Sequence, residues 1–67
     1  MIPLSRLREF RQRMMLSQQS LAEKSGVSEA TINRLEKGLQ LARYVTVRKL
    51  AAALDVAPDE LANRAEA

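Results

Sequence analysis

The sequence predicts an all-α fold, and three observations carry that reading. Strong helix formers (Leu, Ala, Arg, Glu, Gln, Lys and Met) fill most of the 67 residues. No stretch alternates apolar and polar residues as a half-buried strand does. One start signal recurs four times at a single spacing: an apolar residue, a cap position, and a second apolar residue four positions past the cap.

The elements follow in order. A first helix is expected from about Leu4 to Met14, because Leu4, Leu7, Phe10 and Met14 recur every three or four residues and share one face. Leu16-Ser17 with Leu21 starts the second, over 18–25, and Gly26 can close it in the left-handed conformation. Val27-Ser28 with Ile32 starts the third, over 29–37, followed by Gly38. Val45-Thr46 with Leu50 sets the fourth at 47–54. Val56-Ala57 with Leu61 sets the fifth at 58–64; the cap is poor, but Pro58 takes the favoured first position and Asp59 and Glu60 suit the helix dipole. Helices this short are marginal alone, so packing must supply their stability. Only Gly26, Val27 and Ser28 join the second and third helices, which must therefore cross steeply: a helix-turn-helix at about 18–37.

At this length the chain is a single domain, 1–67, that buries roughly 60% of the surface its unfolded form exposes. With no Cys and no His, disulfides, thiolate or imidazole metal sites and Ser–His or Cys–His catalytic pairs are excluded. The longest clean apolar run, Leu50 to Leu54, is far short of the roughly 20 residues that span a bilayer. Arg6 and Arg8 interrupt the start before a signal-peptide core can develop. A cytoplasmic, nucleoid-associated, non-enzymatic protein is expected, with no metal, cofactor, small-molecule ligand or membrane partner. The net charge of +3 is unevenly spread. Arg6, Arg8, Arg11 and Arg13 face only Glu9 in the first thirteen residues, and Arg43, Arg48 and Lys49 have no acid near them in sequence. From residue 51 onward Asp55, Asp59, Glu60 and Glu66 outweigh Arg64. Two basic stretches on one side of the fold would attract a polyanion.

The segment from Leu16-Ser17-Gln18 through Leu21-Ala22, Gly26-Val27-Ser28 and Ile32 to Glu36-Lys37-Gly38 resembles the core of the phage Cro/cI-type (XRE) repressor family. Thr46 to Val56 resembles that family's fourth helix and Pro58 to Leu61 its fifth, so the likeness runs from about Leu7 to Leu61. It implies a lambda-repressor-like DNA-binding domain of five short helices.

In a helix-turn-helix the second helix lies in the major groove with its N-terminal residues at base edges. Ile32 and Leu35 must face the core, so the outward face carries Glu29, Ala30, Asn33, Arg34 and Lys37, flanked by Ser28 and Thr31. Arg34 can bond guanine through O6 and N7, Asn33 can pair with adenine, Glu29 can accept from cytosine N4, and Ala30 can meet a thymine methyl. The resemblance implies base contacts at Glu29, Ala30 and Arg34. It also implies a DNA-backbone clamp at Gln18, with Gln19 a weaker candidate, and backbone contacts at Arg43 and Tyr44, expected in the loop after Gly38. Lys37 joins the backbone-contacting set. Arg11 and Glu36 match a partly buried ion pair in relatives, where the Arg in some cases also faces a phosphate. Met15 stands where many relatives have Gly, so a differently built first turn is expected. Leu39 and Leu41 are expected to pack under their loop or to form a dimer contact, with packing favoured.

The leading functional expectation is a sequence-specific regulator, a repressor, bound as a homodimer to a double-stranded DNA operator. The family also includes antitoxins and controllers of restriction–modification systems. The competing expectation is a protein-interaction module of the same fold, suggested by Glu29, the acidic C-terminus and the two leucines.

Overall fold

The computed structural model describes residues 1–62. Five helices follow one another: α1 (Leu7–Arg13), α2 (Gln18–Ser25), α3 (Glu29–Glu36), α4 (Tyr44–Leu54) and α5 (Pro58–Ala62). The expected continuation of the fifth helix to 64, and the charges of Arg64 and Glu66, lie outside the described residues.

The core explains why such short helices hold. Its six fully buried large side chains are Leu7 of α1, Leu21 of α2, Ile32 of α3, Leu50 and Leu54 of α4, and Leu61 of α5. Every helix thus commits at least one, and each such burial contributes roughly 1.5–3 kcal/mol. α2 packs on both α3 and α4, α4 on α5, and α1 closes against α3 and α5.

The helix-turn-helix forms as its local signals dictate. Ser17 caps α2 by accepting the Ser20 N–H at 2.9 Å, and Ser28 caps α3 by accepting the Thr31 N–H at 3.1 Å. Gly26 ends α2 at φ +79°, its N–H donating to the Ala22 carbonyl at 2.9 Å. A Cβ there would meet no atom within 4 Å, so glycine serves the backbone angle rather than space.

Four expectations need correction. α1 begins at Leu7, not Leu4; Leu4 is buried in the preceding turn, where its carbonyl accepts the Leu7 N–H at 3.2 Å. α4 begins at Tyr44 with Arg43 as its N-cap, so Thr46 lies inside the helix and Val45 is exposed. The cause is tertiary: Ile2 and Ala42 form an antiparallel bridge, with N–H to carbonyl distances of 2.8 and 2.7 Å, that fixes the chain immediately before Arg43. The buried residues of α4 are then Val47, Leu50, Ala51, Ala53 and Leu54. The turn at Met15 is not built in a way that avoids glycine's conformation, because Met15 itself adopts φ +58°. Finally, Leu39 and Leu41 do not pack under their loop; they are 70% and 48% exposed. The bridge holds the loop through backbone bonds, leaving those side chains outside.

Candidate nucleic-acid interface

Burial of Ile32 and Leu35 fixes the rotation of α3. Glu29, Ala30 and Arg34 are exposed on it, as are Ser28 at its cap and Lys37 at its end. Thr31 and Asn33 are half-buried rather than fully outward. The cap occupies the Ser28 hydroxyl twice over, since it also donates to Thr31 Oγ1 at 2.9 Å. Arg34, Glu29, Ala30 and Lys37 remain the side chains of this face with no hydrogen bond inside the molecule among the described residues.

Behind α3 lies a buried polar cluster. The Glu36 side chain has no solvent exposure. Its carboxylate accepts from Arg11 Nε at 2.6 Å and Arg11 Nη2 at 2.9 Å, from Gln18 Nε2 at 3.0 Å and, at the limit of 3.5 Å, from Arg8 Nε. Arg11 Nη1 donates to the Leu16 carbonyl at 2.8 Å. Burial pushes the Glu36 carboxyl up, but hydrogen bonds from Arg11 and Gln18 and the charge of Arg11 outweigh it and hold the carboxyl below its ordinary value. The cluster joins α1, α2 and α3, and no buried side-chain polar atom among the described residues lacks a partner.

Three residues expected to face DNA, Arg11, Gln18 and Asn33, are drawn into this cluster. All three nitrogen positions of the Arg11 guanidinium are in use, which suits it to holding helices together rather than meeting a phosphate. Gln18 donates to Glu36 and accepts from Asn33 Nδ2 at 3.3 Å, so Gln18 and Asn33 face each other. Gln19 is exposed beside them. Arg43 and Tyr44 are exposed, at the start of α4 rather than within a loop.

The charge pattern also changes in three dimensions. Arg6 and Arg13 both pair with Glu9, at 2.9 and 2.7 Å, and both guanidinium groups lie over the Phe10 ring at 4.7 and 5.0 Å. Arg8 and Arg11 pair with Glu36. The N-terminal arginines are thus largely neutralised within the fold. Among the described residues, Lys24, Arg34, Lys37, Arg43, Arg48 and Lys49 make no ion pair, which shifts the available positive charge from α1 to the end of α2, to α3 and the loop after it, and to α4. Sequence counting missed this because it records charges, not partners.

Five helices with a capped, glycine-closed α2–α3 pair, an exposed polar face on α3 and unpaired cations on α3 and α4 define a helix-turn-helix DNA-binding domain. The chain belongs to the Helix-turn-helix family (HTH_3), which it matches over residues 7–61, and is a DNA-binding transcriptional regulator rather than a member of an enzyme family. It is similar to the crystal structure of the restriction-modification controller protein C.AhdI from Aeromonas hydrophila. The two share 42% identity and superpose with a TM-score of 0.81, covering 85% of this chain and 86% of that one. A comparison with curated proteins finds no match. Among the described residues no helix is long and apolar enough to cross a membrane.

Proposed function

We propose that the chain acts as a homodimer on a two-fold symmetric operator, each copy laying α3 in the major groove, and that it represses by occupying a promoter in the cytoplasm. The observation that carries this is the outward face of α3, where Arg34, Glu29 and Ala30 stand free of internal bonds around a helix whose rotation Ile32 and Leu35 fix. Arg34 offers a bidentate partner to guanine, Glu29 an acceptor for cytosine N4, and Ala30 a surface for a thymine methyl. Ser28 and Thr31 contribute at the edge of the same face. Lys37, Gln19, Gln18, Arg43 and Tyr44 supply backbone contacts that position without specifying. Dimerisation follows from geometry, since one helix reads too few base pairs for useful specificity.

The likeness to a restriction-modification controller supports a narrower reading, control of a restriction–modification system by this chain as well. Selection of bound sites from randomised duplex DNA tests both levels. A palindrome with half-sites about one helical turn apart is expected. Arg34→Ala should cost about 1–3 kcal/mol per half-site and relax preference at one base pair in each. Mapping of the palindrome to the promoter of a restriction–modification gene pair supports the narrower role. Enrichment of no sequence, with affinity indifferent to salt, would sink the operator reading in favour of an interaction module.

A further inference from the structure

Gln18 is the amide that the operator reading sets against a DNA phosphate, and its surroundings in the fold fix how it can be presented. A carboxylate only accepts, so the Glu36 oxygen at 3.0 Å requires the Gln18 nitrogen to face it. The Gln18 oxygen must then turn to Asn33, whose Nδ2 donates to it at 3.3 Å. Glu36 is in turn anchored by both Arg11 nitrogens and excluded from solvent. The chain of bonds therefore runs from a fixed, buried anion through Gln18 to Asn33, and both ends of the Gln18 amide are tied.

Asn33 pays for this position by giving up freedom. Reading adenine takes its oxygen and nitrogen together, directed at one base edge. Here one Nδ2–H is given to Gln18 at 3.3 Å, which turns the Asn33 amide toward α2, and the side chain is half-buried. We infer that Asn33 is a positioning residue: it orients the Gln18 amide so that the remaining Gln18 N–H meets a phosphate, and it does not read a base. The inference rests on the operator reading for the role of Gln18, and it assigns to α3 a division of labour, with Arg34, Glu29 and Ala30 at the bases and Asn33 turned back toward α2.

The test is a thermodynamic cycle on DNA binding with wild type, Asn33→Ala, Gln18→Ala and the double variant. Each is titrated against the selected duplex, all its single-base variants and an unrelated duplex. Asn33→Leu, which keeps the volume but cannot hydrogen-bond, is carried alongside, and melting by circular dichroism checks that each variant is folded. Loss of one modest hydrogen bond corresponds to about a three- to tenfold weakening. Asn33→Ala and Asn33→Leu should each lose about that factor, uniformly across all duplexes. In the Gln18→Ala background the Asn33 change should have less than about a twofold effect. A loss confined to one base pair makes Asn33 a base reader and overturns the inference, as does a full Asn33 effect that persists without Gln18. If wild type itself prefers no duplex, the operator reading falls and takes the inference with it, an outcome distinct from failure of the relay alone.

Discussion

The helices of the molecule start in two different ways. α2 and α3 begin at serines whose hydroxyl oxygens take a backbone N–H three residues on, and each serine also donates to the side-chain hydroxyl at that same position, Ser20 or Thr31. α1 and α4 begin at Arg6 and Arg43, neither of which makes a side-chain cap. Backbone from distant parts of the chain secures their starts instead: the Arg6 N–H donates to the Leu61 carbonyl at 3.1 Å, and the Ile2–Ala42 bridge stands immediately before Arg43. The helix-turn-helix is specified by its own sequence, while α1 and α4, which frame it, are specified by the fold.

Glu36, where frame and motif meet, should give the largest effect on stability. Glu36→Gln leaves the largely buried Arg11 without its counter-charge and is expected to cost about 3 kcal/mol or more, read by denaturant unfolding. That is a large share of the stability of so small a domain. The same carboxyl sets an acid limb. Its folded value lies below its ordinary 4.5, so the stability it contributes is fully present above that pH and is lost as pH falls through the folded value. A Glu36→Gln variant should lack this component of the acid transition; an unchanged acid profile would remove Glu36 as its source.

Next come the caps. Ser17→Ala and Ser28→Ala should each cost about 1 kcal/mol in the same measurement. A smaller change of opposite sign is expected at Met15, a residue 91% exposed that holds φ +58°. Met15→Gly relieves the left-handed strain against a backbone-entropy cost and should stabilise by about 0.5 kcal/mol. Smallest is Thr46→Ala, expected within about 0.5 kcal/mol because Thr46 caps nothing in this fold. A Thr46 effect as large as that of Ser28 would erase the distinction between the two kinds of helix start.

The same distinction explains what could be read from the chain in advance. The bounds of α2 and α3 follow from Leu16-Ser17, Gly26 and Val27-Ser28, signals that act within a few residues. The start of α4 does not follow its local signal: Val45-Thr46 imitates a cap, whereas the bridge from Ile2 to Ala42, forty residues on, fixes the chain just before the helix. At the site, Ile32 and Leu35 made the outward face of α3 legible. The mutual bond of Gln18 and Asn33 was not, because it forms across two helices and no periodicity records it. Nor could composition show that Glu9 and Glu36 between them engage all four N-terminal arginines.

Just before α1, Ser5 and Arg6 find their partners nearly a full chain length away. The Ser5 hydroxyl donates to the Ala62 carbonyl at 3.1 Å, next to the bond from the Arg6 N–H to Leu61. On a ribosome Ser5 and Arg6 emerge before α5 does. The leading helix can dock on α3 once Glu36 has emerged, but its seam with α5 stays open until residue 62 has cleared the exit tunnel, so that seam is the last to close.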